Sequence, residues 1–128
     1  TEVTLGIMPG AGGTQTMPRA VGIKRAKEIL LTGLAFTAEQ ALEWGVVNKV
    51  CEPASLQAEV LATAERIAGN APLSTRQIKH SMNTGMQMDL ASALLFEIEA
   101  YNRLPPTEDR REGVAAFNEK RKPVFKGR

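Results

Sequence analysis

The chain has few of the residues that crosslink, bind metals or insert into membranes. Its 128 residues include one cysteine, Cys51, so no disulfide can form within it. A reduced compartment suits such a sequence better than a secreted, oxidised scaffold. There is one histidine, His80. A single His and a single Cys give no metal-ligand spacing and no Cys–His nucleophilic pair, so no metal is expected and His80 reads as an ordinary helix-surface residue. No apolar run approaches the ~20 residues of a membrane span, so no membrane partner is expected. Aromatic residues make up 5%, too few for a nucleic-acid stacking platform, and no nucleic-acid-binding motif accompanies them.

What is present is an ordinary globular composition, 43% hydrophobic and 23% charged, of a size that fits one domain with a modest core. Alanine and leucine are abundant, which favours helices. The formal net charge of +2 is unevenly spread. Residues 1–109 carry 9 basic and 12 acidic side chains, whereas residues 110–128 carry 7 basic and 2 acidic ones. A cationic end such as "KRKPVFKGR" is compatible with a solvated terminus, a phosphate-binding element or a nucleic-acid patch. The solvated terminus is the simplest of the three, and the missing motif disfavours nucleic acid.

Residues 2–8 alternate weakly and are rich in β-branched types, which predicts the end of a strand running into a loop at Pro9 and Gly10. A short helix is expected from Ala11 to Arg19 and another from about Lys24 to Leu31, with Ala26, Ile29 and Leu30 on one face and Gly33 as its C-terminal cap. "FTAEQALEWG" carries the clearest local signal: Thr37 as N-cap, Gln40 three residues later as in a capping box, and Gly45 at the end. "VVNKVC" reads as a short strand. Leu56, Val60, Leu61, Ala64, Ile67 and Ala68 then define one face of a helix beginning near Ser55. Further helices are expected from Leu73 to Thr84, from Asp89 to about Tyr101, and from a Thr107 cap, the last extending to Arg121 before Pro123 stops it. No internal repeat or linker interrupts the pattern.

Few of these residues carry chemistry by type and spacing alone. Glu2 is an isolated carboxylate. "PGAGGTQ" places glycines at a helix entrance, where free N–H groups can meet an anion, but it lacks the Lys-Ser/Thr of a P-loop and the spacing of a dinucleotide fingerprint. On spacing alone, Trp44, Tyr101 and Phe117 read as packing residues. The residues by themselves predict a mostly helical domain with one glycine-rich turn.

Four segments taken together extend that reading. "EVTLGIMPGAGGTQTMPRAVG", "AKEILLTG", "TAEQALEWGVVNKV" and "TEDRREGVAAFNEKRKPVF" resemble, in order and spacing, the enoyl-CoA hydratase/isomerase (crotonase) family. The resemblance covers essentially the whole chain and is strongest to the C-terminal half of enoyl-CoA hydratases of fatty-acid oxidation. Family members are about twice this length. The fold it implies is mainly α: the C-terminal helical (oligomerisation) region of a crotonase fold plus a short remnant of its ββα spiral. Residues 1–54 would be the end of the spiral core with the Gly-rich turn and short helices, and residues 55–128 the C-terminal helical oligomerisation region.

The implied parent is a lyase that adds water to a trans-2-enoyl-CoA. Glu2 would be the second of two catalytic glutamates, exchanging the proton at the α-carbon, and the Gly10 N–H would help place the water. Thr1 stands where proline or alanine is more usual. The first glutamate and the oxyanion hole would lie outside this chain, so the fragment alone is expected to be inactive. Tyr101, Phe117 and Lys120 fall where the family contacts the CoA nucleotide. The resemblance also implies no cofactor beyond the CoA thioester substrate, a homo-oligomeric parent (trimer or hexamer), and a location in the bacterial cytoplasm or, in a eukaryote, the mitochondrial matrix. Two alternatives stay open: a double-bond isomerase of the same family, and a non-catalytic oligomerisation fragment.

Overall fold

The computed structural model describes all 128 residues as helices, turns and irregular segments, with no β-strand. Seven α-helices follow in order: α1 (Gly13–Val21), α2 (Ile23–Thr32), α3 (Ala38–Glu43), α4 (Leu56–Ala68), α5 (Pro72–Gly85), α6 (Leu90–Asn102) and α7 (Glu108–Asn118). Two short 3-10 turns, Glu2–Leu5 and Pro53–Ser55, complete the set. The chain divides into two compact units, Thr1–Leu56 and Gln57–Arg128.

The absence of strands corrects the expected fold class, a mainly α C-terminal helical region carrying a remnant of a ββα spiral. Neither predicted strand forms. Residues 2–5 close into a 3-10 turn ended by Gly6 in the left-handed region, and residues 46–51 carry no strand geometry. The reason is physical. A strand is held by the N–H and C=O groups of a neighbour, and no extended segment of this chain lies alongside either stretch to complete a ladder.

In the first unit α1 packs on α2, and the Glu2–Leu5 turn rests on the end of α2. Gly33, the C-cap of α2, has φ 66°, and a Cβ built there would lie 3.0 Å from a Thr4 methyl and 3.1 Å from a Val3 methyl. Only glycine supplies both that backbone conformation and that space. The capping box at α3 forms as its sequence implies: the Gln40 N–H donates to Thr37 Oγ1 at 3.2 Å, and the Thr37 N–H donates to Gln40 Oε1 at 2.8 Å. Trp44, just past α3, lies 5.3 Å from the Phe36 ring, and the Arg25 guanidinium stacks 4.5 Å above it.

In the second unit α5 and α6 form the main helical pair. Asp89 caps α6 by accepting the Ser92 N–H at 3.0 Å, and Thr107 caps α7 by accepting the Arg110 N–H at 3.1 Å. α7 ends at Asn118 rather than running on to Arg121, because Lys120 turns left-handed with φ 55°. The chain then doubles back beside α7.

The core is thin. The only buried apolar residues are Ala26, Ala41, Ala100 and Ala116, and no large side chain is fully buried. The chain exposes 10115 Å². Even two separate compact bodies of half its mass would together expose only about 8,000 Å². The apolar faces legible in the sequence are therefore present but uncovered.

Candidate functional site

Glu2 sits on a turn fixed at both ends. The Thr4 N–H and Oγ1–H both donate to the Thr1 carbonyl, at 3.0 and 2.7 Å, and the Ile7 N–H donates to the Glu2 carbonyl at 3.2 Å. The Glu2 side chain is 45% exposed, and its Oε2 lies 3.0 Å from the Thr1 ammonium. A hydrogen bond from its own backbone N–H holds its carboxyl below the usual carboxylate value.

The glycine-rich turn follows on the same unit. Gly12 caps α1 with φ 96°, and its carbonyl accepts the Gln15 and Thr16 N–H groups, both at 2.9 Å. The Gly10 N–H takes part in none of these bonds and has no acceptor in the chain. A Cβ at Gly13 would lie 2.8 Å from Pro9 Cβ, so a side chain there would force the turn open. The Glu2 turn also supplies Val3 to an apolar cavity of about 320 Å³, walled further by Ile7, Met8, Ile23, Leu30 and Leu31. Glu2 and Gly10 thus occupy one unit, separated by a short rigid connection. No bond joins the carboxylate to the Gly10 N–H.

The other sequence-derived residues belong to the second unit. Tyr101 ends α6 with 63% of its surface exposed, and Phe117 ends α7 with 83% exposed. Neither is the packing residue that its spacing suggested. Tyr101 lines an apolar cavity of about 360 Å³ with Gln77, Ile78, Met82, Ile98 and Leu104, a wall that Phe117 and Lys120 do not share. Phe117 and Lys120 are brought together instead by the end of α7, where the Lys120 N–H donates to the Phe117 carbonyl at 3.2 Å. The Lys120 ammonium has no ion pair or hydrogen bond within the chain. His80 is exposed on α5, its ring edge-on to Phe96 at 5.2 Å. No three His, Cys, Asp or Glu side chains gather as metal ligands, and no helix is long and apolar enough to cross a membrane.

Sequence reasoning missed the carboxylates that fasten the basic tail. Glu112 takes the Arg121 guanidinium on both oxygens, at 2.6 and 2.9 Å, and also accepts the Val124 N–H at 2.8 Å. The Arg121 side-chain hydrogen bond, followed by the Val124 N–H, lowers the Glu112 pKa from 4.5 to about 2. Glu112 in turn, with Glu119 beside it, raises that of Arg121. Asp109 is only 3% exposed and accepts the Lys126 and Gly127 N–H groups, one on each oxygen, at 2.6 and 2.8 Å. Partners 9 to 18 residues apart across a helix end leave no local spacing signal.

The chain is similar to known proteins along its length. A family model for enoyl-CoA hydratase/isomerase matches residues 1–128. The crystal structure of an enoyl-CoA hydratase from Bacillus anthracis superposes with a TM-score of 0.98 at 44% identity, covering 100% of this chain and 50% of that one. The short-chain-enoyl-CoA hydratase of Clostridium acetobutylicum is 45% identical over 121 residues, 94% of this chain and 46% of that protein. Enoyl-CoA hydratase domain-containing protein 2, mitochondrial, of Mus musculus is 42% identical over 131 aligned residues, 99% of this chain and 44% of that protein. The chain therefore spans about half the length of the relatives it matches. The matches do not support its expected placement as their C-terminal half, and the C-terminal helical region in the expected fold class is withdrawn on the same ground. What the matches establish over the full length of the chain is that it belongs to the enoyl-CoA hydratase/isomerase family.

Proposed function

We propose that this chain is part of an enzyme that adds water across the 2,3 double bond of a trans-2-enoyl-CoA. The oxygen of water bonds to C3, a proton bonds to C2, and the double bond becomes single. Glu2 exchanges the C2 proton, and the unengaged Gly10 N–H helps place the water. A second carboxylate activates that water, and two N–H donors hold the thioester enolate. The observation that carries this reading is the family match over residues 1–128, supported by a part-exposed Glu2 on its fixed turn in the same unit as a glycine turn whose Gly10 N–H has no acceptor. Phe117 and Lys120 receive the CoA nucleotide, the exposed ring meeting adenine and the unpaired ammonium a phosphate, with Tyr101 on a separate wall of the same unit. No cofactor beyond the thioester is required. In a eukaryote the enzyme would act in the mitochondrial matrix, and in a bacterium in the cytoplasm.

The full-length enzyme tests the assignment. Glu2→Gln is expected to lower kcat by ~10²–10⁴ while KM changes little, the range over which positioned acid–base groups contribute. Wild-type turnover in that variant would remove Glu2 from the mechanism. Loss of double-bond migration from 3-enoyl-CoA, with no hydration in the parent, would assign an isomerase instead. The 128-residue chain alone is expected to leave the enoyl absorbance of crotonyl-CoA unchanged, because this reading assigns none of its residues as the second carboxylate or as an oxyanion donor.

The reading extends to assembly. Leu90, Leu94, Leu95 and Ile98 on α6, and Val114 on α7, are all exposed. Apolar surface on this scale rarely stays uncovered in a soluble monomer, and each 100 Å² hidden favours association by about 2.5 kcal/mol before the loss of translational freedom. The chain is expected to self-associate through these faces, as the parent would in forming a homo-oligomer. A monodisperse monomer in sedimentation at high concentration would contradict this.

A further inference from the structure

The end of α7 combines two features that ordinarily exclude each other. Its geometry is a helix stop in which the Lys120 N–H donates to the Phe117 carbonyl at 3.2 Å and the Arg121 N–H reaches back to the Ala116 carbonyl at 3.0 Å. The residue at the turn of such a stop is usually glycine, because the left-handed conformation crowds a Cβ. Here it is Lys120, with φ 55°, the only non-glycine residue in the chain with positive φ. A lysine held in that conformation needs its surroundings to fix it.

The surroundings do so through the next residue. The Arg121 guanidinium is held by three charge-assisted bonds: two to the Glu112 carboxylate at 2.6 and 2.9 Å, and one from Nε to Glu119 at 2.6 Å. The two-pronged geometry resists rotation as well as separation. Glu112 also accepts the Val124 N–H, so the strands of chain before and after the turn are tied to one carboxylate. Glu119, the nearest acid in sequence to Lys120, is engaged by Arg121 and leaves the lysine ammonium unpaired.

We propose that Glu112 and Arg121 are positioning residues: their ion pair locks the left-handed turn at Lys120 and so fixes Phe117 and Lys120 in the relative placement that receives the nucleotide end of a CoA thioester. This rests on the proposed role of Phe117 and Lys120, and it predicts a defect confined to substrates that carry the nucleotide. An ion pair that only stabilised the fold would affect all substrates alike.

The experiment compares crotonyl-CoA with crotonyl-N-acetylcysteamine, which has the reacting thioester but no nucleotide, in the full-length enzyme. Lys120→Ala tests the underlying reading and is expected to raise KM for crotonyl-CoA alone. Glu112→Gln is expected to raise KM for crotonyl-CoA three- to tenfold, with kcat unchanged and the truncated thioester unaffected. Arg121→Lys, which keeps the charge but loses the two-pronged grip, should fall between that variant and wild type and guards against a Glu112 variant that fails to fold. In Lys120→Ala the added Glu112→Gln change should raise KM little further, since the clamp acts through the lysine. A KM effect in Lys120→Ala with none in Glu112→Gln or Arg121→Lys overturns the clamp and keeps the lysine. Equal losses on both thioesters, or full additivity in the double variant, also overturn it. No effect in Lys120→Ala overturns the reading on which it rests.

Discussion

Helix α4 and the tail after α7 keep order by opposite means. α4 is regular over 13 residues, yet Leu56, Val60, Leu61 and Ile67 along its stripe are all exposed. An isolated helix of that length is marginal in water, and most helical stability in proteins comes from covering such a stripe. Residues 122–128 have no regular structure. They are nevertheless fastened at Val124, Lys126 and Gly127 by two carboxylates of α7, and the Arg128 carbonyl accepts the Asp109 N–H at 3.0 Å. Regular geometry and local stability are therefore separate properties in this molecule. The helix depends on a partner surface, whereas the irregular tail carries its own.

The sharpest way to break that contrast is Asp109→Ala. Two tail N–H groups lose their acceptor, and leaving such donors unmet costs ~1–3 kcal/mol. Before the change, amide exchange at Lys126 and Gly127 is expected to be slower than along α4; afterwards the order should reverse. Tail amides that stay protected in the variant would show that the carboxylate is not the fastening.

A smaller change should strengthen the tail's side. Gly113 lies inside α7, where glycine is less favourable than alanine by ~0.5–1 kcal/mol. A Cβ there would meet the Phe125 ring at 3.6 and 3.8 Å, ordinary contact distances. Gly113→Ala is thus expected to raise the thermal midpoint slightly, and a lowered midpoint would show that the tail needs the closer approach.

Acid should produce the mildest effect. The folded-state pKa of Glu112 lies below its ordinary value, at about 2 against 4.5. Its contribution is therefore complete above about pH 4.5 and declines as the pH falls from there towards 2. Both partners reach solvent, so the loss should be small and weakened by salt. Exchange at the Val124 amide, followed between pH 5 and 3, should accelerate beyond the intrinsic pH dependence, and a flat corrected profile would contradict the assignment.

What the sequence discloses about this fold is local in range. The caps read at Thr37 and Thr107 each depend on a partner three residues away, and each forms. The alternation at residues 2–8 failed as a guide because a strand is specified by its neighbour as much as by its own residues. The end of α7 was misplaced because its stop lies in a lysine conformation that composition disfavours. In the candidate site, Glu2, Gly10, Phe117 and Lys120 were identified through family resemblance, since no spacing rule singles them out. Asp109 and Glu112 sit within the same resembling segment, but they also take backbone N–H groups, which every residue type presents alike, and the Arg121 side chain that Glu112 holds lies nine residues away.

The tail's attachment has a consequence for its tolerance to change. Asp109 grips Lys126 and Gly127 by their main-chain N–H groups, and Glu112 holds Val124 in the same way. The Lys122 and Lys126 side chains form none of these hydrogen bonds, although the Lys126 charge adds to the attraction that keeps Glu112 ionised. Placement of the segment is thereby set by main-chain groups, so the tail works as a fixed rail on which the side chain at 122 can vary. A change of sign at 126 would instead set a negative charge beside the carboxylate that holds Val124.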